Sequence, residues 1–280
     1  MGSSAAVMLA LDRLNIIKRP VRQNSSLGWF SAYDGNLLGG LMVGLGMGLS
    51  GACPGAVLVQ LAHGIPSAKA AAIGALLGGG AYVRVTQRKL QQPEGKAATS
   101  KCTISDISKI PEPMLYALLG PMIAGIVSLS HTGGSTPAMS PVVGGLAIGF
   151  AQATTLLLTA SPLGVSTVYE QLGRYILRAL GNEKVGKPAS PPKSISFALG
   201  MIAGSIALAK QFPIVNVAET DFQVPFWQAL VGGFVMAFGA RLAGGCTAGH
   251  GLSGLGALSF SSLVTAMGMF GAGILTRQLM

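Results

Sequence analysis

The chain has 280 residues, of which 50% are hydrophobic and only 10% are charged, and its mean hydropathy is +0.57. Ordinary soluble domains carry about a quarter charged residues, so this composition excludes such a domain and indicates a protein that crosses a membrane several times. The net charge of +10 is spread over loops between apolar segments, where it orients a membrane protein. We therefore expect no nucleic-acid binding, and the three cysteines are too few for a disulfide framework.

Seven apolar stretches are candidates for membrane-crossing helices, which need about 20 mainly apolar residues. The stretch before them, 1–20, is interrupted by Asp12 and Arg13 and is a short amphipathic segment, a targeting segment or a shortened membrane helix. Several candidates have only about 15–17 residues, fewer than a helix needs to cross a bilayer without tilting, so we expect shortened or tilted helices. In chain order they lie near 36–51, 67–83, 114–130, 141–159, 195–210, 226–243 and 259–276.

Two polar linkers, near 84–113 and 181–194, separate these stretches and are expected outside the bilayer. Before the second linker, Glu170, Arg174 and Arg178 lie four residues apart, which predicts an amphipathic helix at the membrane surface or the exit from a re-entrant segment. Lysine and arginine are concentrated in the N-terminal segment and around both linkers. The positive-inside rule then places the N-terminus and both linkers in the cytosol.

An internal repeat relates "LLGGLMVGLGMGLSGACPG", from Leu37, to "ALVGGFVMAFGARLAGGCTAG", from Ala229. A single ungapped offset of 193 residues aligns Cys53 with Cys246 together with several glycines. We assign repeat units 36–86 and 229–278 within one transmembrane transporter domain, 1–280. A degenerate third copy without cysteine begins at "VVGGLAIGF" and ends at "SPLG".

The predicted topology makes the two repeat units run in opposite directions, which is the inverted-repeat plan of many transporters. Each cysteine lies where glycine or proline breaks the helix, and the half-helices that result present free N–H groups that favour an anion. The fold class expected is therefore all-α, a polytopic membrane protein with inverted repeats and re-entrant half-helices. The alternative is that both breaks are tight interhelical loops at the membrane surface.

The residues expected to bind or pass a substrate surround the two cysteines. Thiols at a helix N-terminus are more reactive, although Cys53 and Cys246 can also be a structural disulfide. His250 follows Cys246 by four residues and can activate the thiol or share a metal with it. Arg241 is the only charge within the last two apolar runs and is a functional candidate or a snorkelling side chain. The complete set is Cys53, Pro54, Gly55, Arg241, Gly245, Cys246, Thr247, Gly249, His250 and Ser253, with Gln60, His63 and Gln152 as weaker candidates.

The segments "GLSGACPGA" and "FGARLAGGCTAGHGLSG" resemble the signature segments of the YeeE/YedE sulfur-transport family, from about Leu37 to Leu275. The resemblance implies an hourglass of membrane helices in which cysteines pass thiosulfate along by contacts to its sulfur, without ATP. It also implies three functional cysteines, of which Cys53 and Cys246 fill two positions. The third cysteine here, Cys102, lies in a linker, so the relay has two members or another polar residue, such as Ser161, replaces the third.

The sequence therefore predicts a permease of the plasma or inner membrane for a small sulfur-containing anion, with thiosulfate as the expected substrate. We expect no catalytic activity and no cofactor or bound metal, and a cytosolic sulfur-accepting protein is a candidate partner. One alternative is a membrane sulfurtransferase in which His250 activates Cys246 to form a persulfide. The other is a transporter of soft metal ions that uses Cys, Met and His side chains.

Overall fold

The computed structural model describes residues 2–16, 21–90, 103–117, 121, 141–159, 164–181, 193–211 and 224–280. Within these ranges the chain is helical apart from turns and one isolated bridge between Thr103 and Ser259. The helices are α1 (Gly2–Arg13), α2 (Asp34–Ser50), α3 (Pro54–Ala62), α4 (Pro66–Leu90), α5 (Ile104–Ser108), α6 (Pro141–Thr159), α7 (Ser166–Ala179), α8 (Lys193–Gln211), α9 (Phe226–Leu242), a π-helix (Ala248–Gly254) and α10 (Phe260–Leu279).

The predicted helical membrane architecture is confirmed. Each predicted span corresponds to a helix except 114–130, most of which lies outside the described residues. By length and apolar composition Asp34–Ala62, Val142–Thr159 and Ser194–Gln211 can each cross a membrane, while Phe226–Leu242 is a shorter apolar helix. Large apolar side chains on α6 are open to the surroundings, such as Phe150 at 76% and Leu158 at 79% exposure, as expected of a lipid-facing helix.

The helix boundaries repeat with the same 193-residue offset as the sequence. The long helix α2 begins at Asp34 and its counterpart α9 at Phe226; a break and a short helical segment then follow in both copies. The short segments are α3 and the π-helix, and the long helices after them are α4 and α10. Each start agrees with the offset to within one residue, so the repeat is one of structure as well as of sequence.

The described chain divides into two compact units. The first, here the thiol unit, comprises the described residues of Asn24–Thr99, Gly164–Ala248 and Val264–Met280. The second, here the histidine unit, comprises those of Met1–Gln23, Ser100–Leu163 and Gly249–Leu263.

Close glycine contacts join α2 and α9 in the thiol unit. A methyl group on Gly39 would lie 2.7 Å from the carbonyl oxygen of Gly239, and one on Gly46 would lie 2.6 Å from that of Gly232. Residue numbers therefore fall along α9 as they rise along α2, so the helices are antiparallel. The 193-residue offset relates Gly39 to Gly232 and Gly46 to Gly239. The contact between Gly39 and Gly239 is therefore equivalent to the contact between Gly232 and Gly46. Since the two equivalent helices run in opposite directions, the repeat is inverted.

The amphipathic helix α7 lies within the thiol unit, and the first half of its apolar face is covered by protein, whereas Ile176 is 47% exposed. Val168 and Tyr169 are each 2% exposed and pack in one cluster with Leu58 of α3, Ala75 of α4 and Ala198 of α8. Its polar face carries the predicted pair four residues apart, with Arg174 donating to Glu170 at 2.7 Å. The first half of the apolar side of α7 therefore packs against neighbouring helices.

In the histidine unit, α1 packs against α6 around a small core of Met8, Leu156 and Ala257. The Ser3 hydroxyl donates to the carbonyl of Gly145 at 2.5 Å, which fixes the start of α1 on α6. The N-terminal segment is thus a short helix that is held in the fold.

We expect Gly46→Ala to destabilise the protein, because the new methyl group would lie 2.5 Å from the backbone nitrogen of Met236 and the helices would have to separate. The expected loss of unfolding free energy is about 1–3 kcal/mol, measured from the thermal unfolding of the purified protein in detergent. Gly200→Ala on α8 is the matched control, since no atom lies within 4 Å of the new methyl group. Equal stability of the two variants would contradict the glycine contact.

Candidate functional site

The first break places the Cys53 thiol at the start of α3. Gly51 ends α2 in the left-handed region, at φ 69°, with its N–H donating to the carbonyl of Met47. Cys53 is extended and is the N-cap residue of α3, and its Sγ accepts the N–H of Ala56 at 3.4 Å. Pro54 occupies the first helical position, where its missing N–H leaves no donor unsatisfied. The thiol therefore takes the place of the usual capping oxygen.

The second break has the same construction. Gly244 is in the left-handed region at φ 80°, and Cys246 follows it by two residues, as Cys53 follows Gly51. The Gly245 N–H donates to the carbonyl of Ala240 at 2.8 Å, which closes the end of α9. Cys246 directly precedes the helical residue Thr247 and is 1% exposed, whereas Cys53 is half-buried. Both predicted cysteine positions thus lie at helix breaks.

Side-chain amides hold the two helix ends from the opposite helix. Asn36, at the start of α2, is fully buried and donates to the carbonyl of Ala243 at 3.1 Å. Gln228, at the start of α9, donates to the carbonyl of Leu49 at 3.2 Å. The last carbonyls of a helix have no partner within it, so these bonds fix where each helix ends and where each break begins.

The second break turns back along α2. Ala243 lies beside Gly39, whereas the hydroxyl of Thr247, four residues later, donates to the sulfur of Met47 at 3.2 Å. The segment that carries Cys246 is therefore re-entrant and runs from the end of α9 toward the middle of the α2–α9 pair.

Both cysteines belong to the thiol unit. Neither cysteine is part of a disulfide, and the two thiols lie close enough to interact electrostatically with each other and with the hydroxyl of Tyr169. Tyr169 donates to the carbonyl of Pro54 at 2.7 Å. The sequence did not predict Tyr169, because a tyrosine on the apolar face of an amphipathic helix has the ordinary pattern of a core residue.

A cavity of about 450 Å³ lies between the end of α2 and α10. Its lining includes Met47, Gly51 at the first break and Met269, and the exposed Arg277 lies at its edge. The Thr247 hydroxyl is 3.2 Å from the Met47 sulfur and 3.9 Å from that of Met269. Thioether sulfurs are soft and polarizable, so a cavity lined by Met47 and Met269 suits the sulfur end of a ligand.

Arg241 forms an ion pair. Its guanidinium donates to Glu170 at 2.5 Å and lies 5.8 Å from the centre of the Tyr82 ring. Glu170 also binds Arg174, so one carboxylate is shared by two arginines and the group carries a net charge of +1. Arg241 therefore joins α9 to α7, a contact between residues distant in sequence.

The remaining predicted residues, Gly249, His250 and Ser253, belong to the π-helix and to the histidine unit. His250 is 1% exposed, and its Nδ1 is 2.9 Å from the hydroxyl of Ser262. Ser253 donates to Gln152 on α6 at 3.2 Å, and the Gly249 carbonyl accepts the Nε of Arg22 at 2.9 Å. These residues form a buried polar cluster in that unit.

The weaker candidates are less distinctive. His63 is half-buried at the end of α3, where its Nδ1 is 2.9 Å from the carbonyl of Val59, and Gln60 is half-buried on the same helix. Cys102 and Ser161 lie outside the described residues. Among the residues that the structure describes, no three His, Cys, Asp or Glu side chains are grouped as a metal site would need.

Comparison with known proteins gives a consistent result. A family model described as sulphur transport matches residues 1–275. Two proteins of Xylella fastidiosa, from strains 9a5c and Temecula1, are each named a probable transporter and are 28% identical to this chain over 144 residues. The aligned region covers 50% of this chain and 93% of each relative.

We expect Glu170→Gln to destabilise the protein more than Arg174→Gln. Glu170→Gln leaves two arginines uncompensated, and we expect it to lower the free energy of unfolding by about 1–3 kcal/mol. Arg174→Gln leaves the ion pair of Glu170 with Arg241 intact, and it removes an interaction worth about 0.3–0.5 kcal/mol. Thermal unfolding of both variants in detergent measures the difference. The reverse order of stability would show that the ion pair does not hold α7 to α9.

Proposed function

The chain belongs to the sulphur transport family, and on that premise we propose that it is a permease for thiosulfate whose path passes Cys53 and Cys246. The observation that carries this proposal is the placement of two thiols, neither of them in a disulfide, at the two breaks of an inverted repeat within one unit. The protein is an integral membrane protein with several helices that can span a bilayer. The proposed location is the plasma or inner membrane, with the N-terminus in the cytosol.

The chemistry of the site fits an anion with one soft end. Thiosulfate has a terminal sulfur and three oxygens on its central sulfur, and it carries a double negative charge. A thiol is a weak S–H donor, so Cys53 and Cys246 can each donate to the terminal sulfur without forming a covalent bond. The start of α3 lies at the same place, and the positive end of its dipole favours negative charge.

Gly55 supports an opening beside the Cys53 thiol. It is the second residue of α3, and a methyl group there would lie 3.7 Å from Met201 and 3.8 Å from Val165, which is ordinary contact. Its φ is not positive. Neither packing nor backbone conformation therefore requires glycine, and we attribute the missing side chain to the close approach of a ligand.

The other predicted residues have supporting parts in this proposal. Pro54 and Gly245 shape the two breaks. Thr247 contacts the sulfurs of Met47 and Met269, and Arg241 fixes α9 on α7. We propose further that Gly249, His250 and Ser253 continue the path and that the whole chain acts as one transporter domain. A cytosolic sulfur-accepting protein is the proposed recipient.

We expect Cys53→Ala and Cys246→Ala each to reduce thiosulfate uptake at least about tenfold, which corresponds to the loss of a contact worth about 1.4 kcal/mol in the transport path. Uptake of radiolabelled thiosulfate is measured in cells that have no other thiosulfate transporter, with membrane levels of each variant checked by immunoblot. Cys102→Ala is the control and is expected to transport normally. Normal uptake by both site variants would refute the cysteine path.

We expect Gly55→Ala to raise the KM for thiosulfate several-fold while leaving the thermal unfolding midpoint unchanged or slightly higher, because alanine favours a helix by up to about 1 kcal/mol over glycine. The matched control is again Gly200→Ala, which adds a methyl group to an open helix surface. An unchanged KM in Gly55→Ala would show that no ligand approaches this position.

A further inference from the structure

We propose that Tyr169 is a positioning residue for the two-thiol site, and that α7 sets the spacing of the two cysteines through Tyr169 and its neighbour Glu170. This inference rests on the proposed function, because it concerns how the same thiols are held for the substrate. It adds a component from a third segment of the chain, outside both cysteine repeats. Tyr169 contacts α3, the backbone of α7 packs on α4, and Glu170 forms an ion pair with α9.

The hydroxyl of Tyr169 holds the first turn of α3. It donates to the carbonyl of Pro54 at 2.7 Å, and the residue is 2% exposed. Pro54 directly follows Cys53, and the Cys53 sulfur accepts the N–H of Ala56 in the same turn. Any displacement of the Pro54 carbonyl therefore moves the Cys53 thiol with it.

The backbone of α7 is itself fixed at this point. A methyl group on Gly79 of α4 would lie 2.6 Å from the carbonyl oxygen of Tyr169, and one on Gly173 would lie 2.8 Å from the backbone nitrogen of Gly80. The Tyr169 ring packs in the cluster with Leu58, Ala75 and Ala198. Because interiors are close-packed and resist small shifts, the hydroxyl is presented to α3 from a rigid support.

The next residue of α7 is joined to the other repeat. Glu170 accepts Arg241 of α9 at 2.5 Å, and Arg241 lies five residues before Cys246. Two consecutive residues of one helix thus hold the segment that carries Cys53 and the helix that leads to Cys246. Since α7 is rigid, this arrangement sets the distance between the thiols, and both thiols lie within electrostatic range of the Tyr169 hydroxyl.

The test is Tyr169→Phe, which keeps the ring and removes only the hydroxyl. Its first measurement is the alkylation rate of Cys53 by N-ethylmaleimide in purified protein that also carries Cys102→Ala and Cys246→Ala. We expect Tyr169→Phe to make this alkylation about 3- to 10-fold faster, the shift produced by losing one hydrogen bond of ordinary strength. The matched control is Tyr175→Phe on the same helix, where the side chain is 43% exposed.

The second measurement is thiosulfate uptake by Tyr169→Phe with the native cysteines present. We expect the KM to rise by a similar factor with the maximal rate within twofold of the parent protein, because the thiols are displaced while the path remains. A merely structural loss would instead lower the maximal rate in proportion to the amount of folded protein, which the thermal unfolding midpoint and immunoblots report.

The outcomes separate this inference from the proposed function. An unchanged alkylation rate of Cys53 in Tyr169→Phe overturns the positioning role, whatever the uptake shows. Faster alkylation with an unchanged KM overturns the claim that the spacing serves the substrate. If the parent protein takes up thiosulfate independently of Cys53 and Cys246, the proposed function fails, while faster alkylation in Tyr169→Phe still shows that Tyr169 positions the Cys53 thiol.

Discussion

The close approach of α2 and α9 through their glycines is the constraint on which the thiol unit depends. Membrane helices gain little hydrophobic energy by associating, so small residues that allow backbone contact decide where they meet. The two helices are antiparallel, because Gly39 packs against Gly239 and Gly46 against Gly232. Their C-terminal ends therefore lie at opposite ends of the pair. One break must therefore turn back along the pair to bring its cysteine toward the other, and the chain from Ala243 to Thr247 does so.

Much of this arrangement could be predicted from the sequence. The offset that aligns Cys53 with Cys246 also aligns the long helix, the break and the following helix of the two copies. Glycine and proline indicated the breaks, since their backbone preferences act locally. At the two breaks, the residues in the left-handed region are Gly51 and Gly244, each two positions before its cysteine. The same 193-residue offset relates them.

The sequence could not show what holds the breaks in place. Arg241 was conspicuous as a lone charge in an apolar run, but its partner Glu170 lies on a helix from another part of the chain, so the pairing depends on how α7 packs. Tyr169 carried no signal, because its hydroxyl contact with Pro54 exists only once α7 and α3 are assembled. Local patterns predict elements and breaks, whereas these contacts are tertiary.

The glycines themselves distinguish structural from functional requirements. Gly39 and Gly46 are required by helix contact, and Gly51 by its positive φ. Gly55 is required by neither, although it directly follows Cys53-Pro54 at the start of α3. Glycine stabilises a helix less than alanine does, and neither packing nor backbone conformation at Gly55 compensates for this difference. In the proposed function, the missing side chain leaves room for an anion to approach the Cys53 thiol.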